Sequence, residues 1–454
     1  MTITAQLDAA STPALPDLNQ KRIWLFWLPL AASWLLMGTE MPFVNAMLSR
    51  LNDSQRMIAA FGIVGALSMT IESPVIMLLT TSTALARSRQ SYAMLRQFTQ
   101  HLMLATTAVH ILVGWTPLFD VIVRGWIGVP ESLVEPVRLG MRIMIFWSAA
   151  IAWRRFKQGV MIRYGQTKFV GQGTMVRLVS SAGLAAALAI WNGLPGVAVG
   201  ALALSVGVIV EATYAHFAIR HVVGQQFGPN APATGEPPLS YGGLVRFHTP
   251  LAASTLLYLL AQPLGSAALS RLPNREAALA AWPVASGLLF IVRSPALALP
   301  EVIIALLHEP GSRPALRKFM IAVGTACVGA LVLLGFTPLG HVYFRTLIGV
   351  SEELAGLAMT GVQVAVALPI IAAWQSWYRG NLTAQRATPA ITLAMTVNLA
   401  TLVVILVVGV ALRAPGVTLA AVALTGSTLA ETTVLALAHN RLRGRQPAGA
   451  AAVL

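Results

Sequence analysis

The chain has 454 residues, of which 56% are hydrophobic and 10% charged, with a mean hydropathy of +0.71. No single water-soluble core absorbs so much apolar surface, and repeated apolar runs of about 20 residues match the thickness of a bilayer, so an ordinary soluble domain is excluded and an all-α polytopic membrane protein is expected. The net charge of +15 does not point to nucleic acid, because the basic residues are dispersed between apolar runs and form no compact patch.

In chain order, residues 1–22 are polar and lack the basic cluster and apolar core of a signal peptide, which predicts a disordered cytoplasmic tail. Six spans are expected at 23–48, 57–84, 97–118, 138–162, 170–191 and 196–219, forming a first lobe over 23–220. Residues 221–244, with FGPNAPATGEPPLSYGG at their centre, are rich in Pro and Gly and read as a cytoplasmic linker. Spans 7 to 12 are expected at 245–270, 276–307, 316–338, 355–378, 388–411 and 416–438, forming a second lobe over 245–438, with a short tail at 439–454. Cys327, the single cysteine, sits in an apolar run; it allows no internal disulfide and is read as a packing residue.

The two lobes are one unit written twice. PLAAS at Pro29 to Ser33 recurs at Pro250 to Ser254, an offset of 221 residues, and Phe26 to Leu51 matches Phe247 to Leu272 at 14 of 26 positions, ending in LSRL both times. LRQF at Leu95 meets LRKF at Leu316, TPLFDVIVRGWIGVPESL at Thr116 meets TPLGHVYFRTLIGVSEEL at Thr337, and Trp153 and Gly159 meet Trp374 and Gly380. Near the ends the offset slips by one, so that Pro195-Gly196-Val197 and Glu211 face Pro415-Gly416-Val417 and Glu431. Six spans per copy return the chain to its starting side, so both copies run the same way and their relating axis stands along the membrane normal. With the N-terminus taken as cytoplasmic, 20 of the 31 Lys and Arg residues fall on that side, which predicts both termini inside a cell (inner) membrane. GVAVG at Gly196 to Gly200 reads as a small-residue helix contact.

Ionisable residues within spans carry the functional signal, since a charge at the bilayer centre costs at least about 2.5 to 3.5 kcal/mol and so faces a partner or a wet cavity. Glu72 opens Glu72-Ser73-Pro74 in span 2, and the register sets it against Arg293-Ser294-Pro295 in span 8. Opposite charges at equivalent points suggest a pair across the axis; the bland alternative is a structural ion pair or a kink. Glu40, in GTEMPFVN of span 1, meets LLAQPLGS, which carries Gln262 but no acid. A one-sided acid suits an asymmetric substrate or ion site, against which stands an acid snorkelling to the outer interface. Glu301, opposite Thr80, is a further candidate. Glu211 and Glu431 are kept in both halves; a clamp within each lobe is the favoured reading. The basic group Arg154, Arg155 and Lys157 near Glu211 serves that clamp or attracts an anion.

No Gly-rich phosphate loop, HExxH or CxxC occurs, and no span carries a His, Asp or metal-ligand cluster, so no enzyme activity, metal or resident cofactor is expected. The PL at the start of span 1, the acid and later Asn45 within it, and the SP of span 2 resemble the MATE-like (MOP) flippase superfamily. The runs PLAASWLLMGTEMPFVNAMLSR and SPVIMLLTTSTALARSRQSYAMLRQF, with the IGVPESL and IGVSEEL loops, are more similar to its progressive ankylosis (ANK) branch. The chain departs from that branch in lacking the long acidic C-terminal tail of animal members. The resemblance implies two lobes in a V, a cleft lined by spans 1, 2, 7 and 8, and rocker-switch export; it suggests Glu40 and Asn45 as functional positions. The expected activity is secondary active export of a small organic or inorganic anion or amphipathic solute, coupled to H+ or Na+. A lipid-linked glycan flippase and a multidrug (cation) antiporter are the alternatives. The expected partners are a small-molecule solute and the lipid bilayer, with the protein acting as a monomer.

Overall fold

The computed structural model describes residues 18–228, 239–307, 309, 311–385 and 387–444. Most of the expected N-terminal tail, the centre of the linker and the last residues of the C-terminal tail lie outside these. Among the described residues all regular structure is helical, and each of the twelve stretches expected to span the membrane is helical with local breaks. Among the described residues nine helices are long and apolar enough to cross a membrane, or up to eleven if each of two bent pairs is one span. Span 4 is not among them: it is divided into the shorter helices Glu131–Ile143 and Trp147–Arg163, and it carries Arg142, Arg154, Arg155 and Lys157. The chain is an all-α polytopic membrane protein.

The breaks follow the sequence. Span 2 divides into Ser54–Ile71, Ser73–Ile76 and Leu78–Leu85. Pro74 has no N–H, and its ring clashes with the carbonyl one turn back, so the helix yields at Glu72. In span 8 Arg275–Leu297 runs unbroken through Arg293 and Pro295, and the break comes at Ala298. Ala298 is the counterpart of Met77, so one break is common to both halves and the break at Glu72 belongs to the first alone. Span 1 is continuous over Gln20–Leu48, whereas span 7 interrupts at Leu260 between Tyr241–Leu259 and Ala261–Leu269.

Elsewhere the backbone repeats residue for residue. Span 3, Arg89–Trp115, bends by 83° into a short segment that ends in the π-helix Val121–Ile127. The second half has the π-helix Val342–Ile348 at the same offset. Each closes on a left-handed glycine, Gly128 (φ 73°) and Gly349 (φ 85°), a conformation a side chain would strain. Asp53 and Asn274 (φ 54° and 53°), then Asn192 and Arg413 (φ 49° and 53°), are left-handed pairs at that offset too. Span 2 packs on span 4, span 3 on span 4, and spans 4 and 5 on span 6, with the same pairings in spans 8 to 12. The first spans cross to the other half in the same way: span 1 lies along spans 8 and 5, and span 7 along spans 2 and 11.

Two boundaries differ from the sequence reading. The linker contains the helix Arg220–Phe227, held to the first lobe by buried Val222 and Phe227, and the last helix continues to Gly444. Where span 4 crosses span 2, a Cβ added at Gly159 would lie 2.7 Å from Cβ of Ser82 and press on the Leu79 carbonyl; at Gly380 it would lie 2.9 Å from Cβ of Ile303. Such overpacking costs about 1 to 3 kcal/mol. Gly159→Val is therefore expected to lower the melting temperature of the purified protein by several degrees. Gly183→Ala, at a position with open space around it, is expected to leave it unchanged.

Candidate functional site

A buried ionic network joins spans 1, 4, 5 and 6 of the first lobe. Glu211 is fully buried; Arg154 Nη1 contacts its Oε2, Gln158 Nε2 donates to its Oε1 at 3.0 Å, and Arg177 Nε stands 3.7 Å from Oε2. Arg177 reaches in the other direction to Glu40, with Nη2 3.2 Å from Oε2, and Ser181 Oγ donates to Glu40 Oε1 at 2.9 Å. Glu40 thus turns inward to span 5 and does not snorkel outward.

The second lobe has a reduced version of this network. Glu431 accepts from Arg379 Nε at 3.0 Å and from Asn398 Nδ2 at 2.9 Å. Arg379 is the counterpart of Gln158 and Asn398 that of Arg177. The donors therefore come from equivalent positions with charged and neutral members exchanged. Where Arg177 becomes Asn398, Glu40 becomes Ala261, so the acid and its guanidinium are absent together. Sequence inspection singled out neither Arg379 nor Asn398 as a ligand of Glu431, although the offset of 221 points to both.

Other candidates separate. No ion pair joins Glu72 to Arg293: Glu72, 8% exposed, accepts from Trp147 Nε1 at 2.6 Å instead. Arg293 lies on span 8, which packs against spans 1 and 2 of the other lobe. Its guanidinium stacks on Phe290 at 5.7 Å, and its buried Nε has no partner. Arg155 has no ion pair either, and its Nε is also unpartnered. Asn45 is 3% exposed with Oδ1 unpartnered. Unpartnered hydroxyls of Ser73, Ser148 and Ser205 add to the polar interior of the first lobe. Gln262 and Glu301 are exposed and belong to neither network. Lys157 leaves the clamp altogether and donates to the Tyr92 hydroxyl at 2.7 Å.

The polar contacts between the lobes include two symmetric pairs, beside single contacts such as Arg22 with Glu309, Ser132 with Glu276 and Gln20 with the Ala315 carbonyl. Trp27 Nε1 of span 1 donates to the Pro295 carbonyl at 3.0 Å, with its ring edge-on to Phe319 at 5.4 Å. Its counterpart His248, in span 7, places Nε2 2.7 Å from the Pro74 carbonyl and packs edge-on to Phe98 at 5.0 Å. Because a carbonyl only accepts, Nε2 carries the proton, and Nδ1 is left to accept from Thr81 Oγ1 at 2.9 Å. At the opposite end Arg50 donates to the Leu347 and Ile348 carbonyls at 3.0 and 3.2 Å, and Arg271 to those of Trp126 and Ile127 at 2.6 and 2.8 Å. These are the arginines of the repeated LSRL, and their acceptors end the two π-helices. Glu131 and Glu352 bind back to Arg124 and Arg345 at 3.2 and 3.0 Å, which accounts for the acid in IGVPESL and IGVSEEL.

No protein-family model matches the chain, and no curated protein matches it by sequence. Solved structures match it by fold. A multidrug resistance MATE family transporter of the MOP superfamily, in an inward-facing conformation, aligns over 90% of this chain and 96% of its own with 12% identity and a TM-score of 0.67. A MOP superfamily transporter from Pyrococcus furiosus, described as having a binding pocket of reverse polarity, covers 94% and 96% with 16% identity and a TM-score of 0.63. The lipid II flippase MurJ, in an inward closed conformation, covers 92% and 87% with 9% identity and a TM-score of 0.68. The chain has the fold these three proteins share.

The clamps differ in burial, which sets their energetic weight. Arg154 and Glu211 are 6% and 0% exposed, whereas Arg379 is 30% exposed. Removing one member of a buried pair costs about 3 to 5 kcal/mol because the remaining charge loses its partner, and solvent relieves a part-exposed survivor. Glu211→Gln is expected to lower the melting temperature distinctly more than Glu431→Gln, as read by thermal unfolding of the purified variants.

Proposed function

We propose that the protein is a secondary active transporter that exports a small anionic or amphipathic solute by alternating access. The observation carrying this reading is that the contacts between the lobes include one symmetric pair at each end of the bundle, each made by one side chain on backbone carbonyls. An interface of this form would open at one end by releasing its latch pair and a few further side-chain contacts, such as Arg22 with Glu309, while the ionic clamps keep each lobe intact. Transport then needs only a ligand that prefers one of the two arrangements.

Arg293 supports an anionic solute. It stands at the lobe interface without a carboxylate partner, so a carboxylate or phosphate can take it without first displacing an acid. Glu72 is the coupling acid of this proposal: it sits at the helix break unique to the first half, and gain or loss of its proton changes the charge beside that break. Glu40 is already committed to Arg177 and Ser181 and ranks second. The assignment to the progressive ankylosis branch rests on the sequence motifs alone. Both termini are placed in the cytoplasm on the distribution of basic residues; a cysteine at Glu135 should label from outside intact cells and one at Arg246 should not.

In proteoliposomes bearing a pH gradient, Arg293→Gln is expected to slow transport of the accepted anion about tenfold, the loss of about 1.4 kcal/mol. Glu72→Gln should uncouple transport from the gradient while leaving expression intact. A panel of citrate, pyrophosphate, nucleotides and cationic drugs identifies the solute class. Transport of cations alone would establish the multidrug antiporter alternative. Failure of every soluble compound, with movement of a lipid-linked glycan between leaflets, would establish the flippase.

A further inference from the structure

A second basic site lies away from the lobe interface, on the face that carries the start of span 3 and the end of span 6. Arg89, Tyr92, Arg96, Gln97 and Gln100 of span 3, with Phe227 of the helix Arg220–Phe227, line a surface pocket of about 400 Å³. The three helices around it, Arg89–Trp115, Trp147–Arg163 and Arg220–Phe227, contain seven Lys and Arg residues and no Asp or Glu. Among the described residues neither Arg89 nor Arg96 makes an ion pair. Glu211, the acid on the neighbouring span 6, is taken by Arg154 and Gln158.

Exposed arginines alone would be ordinary membrane anchors. Lys157 is different, because it is 4% exposed and has no carboxylate partner. Its ammonium lies over the rings of Trp153, Phe156 and Tyr92 at 4.5, 4.9 and 5.2 Å and donates to the Tyr92 hydroxyl. With its oxygen occupied by Lys157, Tyr92 is left to donate its own O–H. Its ring is fixed by stacking on Phe227 at 4.6 Å, so a buried cation stands behind an oriented donor in the pocket wall. The second half shows that the fold does not require this pair: Tyr92 and Lys157 correspond to Arg313 and Tyr378 there. A cation buried without an acid, fronted by free guanidiniums and amides, is built for an anion.

We infer that this pocket binds a phosphate-bearing anion, a phospholipid headgroup or a free phosphate ester, through Arg89, Arg96 and the Lys157–Tyr92 pair. The site is separate from the proposed transport pathway and does not depend on the solute. Native mass spectrometry of the full chain in neutral detergent, supplied with phosphatidylglycerol, reads the lipid retained. Arg89→Gln with Arg96→Gln is expected to reduce retention about tenfold. Arg246→Gln with Arg441→Gln, the same charge change elsewhere on this face, should retain lipid like the parent. Glycerol phosphate, added in competition, separates the sources: retention unaffected by it assigns the site to lipid. Displacement, with a rise in parent melting temperature absent from the pocket variant, assigns it to the free ester. Equal losses in the two double variants would reduce the effect to general surface charge and overturn the site. Unchanged binding of both lipid and ester in the pocket variant would overturn it as well. Lys157→Met, if it folds, should lower retention further than either arginine change alone, and no effect from it would remove the buried pair from the site.

Discussion

Backbone carbonyls freed at helix ends and breaks have no water to satisfy them inside a bilayer, and the rest of this structure depends on how they find donors. The carbonyls of Pro74 and Pro295 beside the breaks at Met77 and Ala298, and those ending the two π-helices, receive side chains from the opposite half. Each half therefore completes the other. The breaks that would be defects in an isolated lobe are the points at which the lobes are joined, so cohesion is concentrated at the two ends of the bundle.

Duplication explains this economy, and departures from it mark where the halves have separate roles. Four such departures fall in the first lobe: the extra break at Glu72, the Glu40–Arg177 pair replaced by Ala261 and Asn398, the Arg154–Arg155 group replaced by Gln375 and Ser376, and the Lys157–Tyr92 pair. The second lobe keeps one carboxylate clamp and, besides the latch Arg271, the interface cation Arg293. Charge chemistry is thus loaded into one lobe, while the scaffold holding it is common to both.

Most of the architecture was legible in the sequence, because a fixed offset of 221 residues needs only identity to be seen. That offset locates the π-helices, the left-handed residues and the symmetric latches, since backbone geometry is inherited with register. Side-chain partnership was less legible. Glu72 and Arg293 occupy equivalent positions, yet equivalence about an axis does not imply contact, and the nearer indole of Trp147 takes the carboxylate. Lys157 lies about 60° around the helix from Arg154 and about 100° from Gln158, and from there it reaches Tyr92 on span 3 while Arg154 and Gln158 hold Glu211 on span 6. Span 4 fails as an apolar segment for the same reason that it matters: it carries cations whose partners, Glu211 for Arg154, the Tyr92 hydroxyl for Lys157 and the Gly114 carbonyl for Arg142, hydropathy does not see.

Magnitudes decide which contacts yield when the lobes move. Each neutral hydrogen bond between them contributes about 0.5 to 1.5 kcal/mol, and a charged donor such as Arg50 about 1.5 to 3. Breaking a buried clamp within a lobe costs about 3 to 5 kcal/mol. Apolar packing across the interface, as of Pro42 on Gly287 and Pro283 on Gly62, adds little resistance, because lipid tails are as apolar as the surfaces they would replace. The contacts easiest to exchange are therefore those between the halves, and the hardest are those within the first lobe. In the proposed cycle, opening one end would release its latch pair and the neighbouring contacts, such as Arg22 with Glu309, and leave the opposite pair as a hinge, so the clamps would travel intact and the charged interior of the first lobe would move as a single body relative to Arg293.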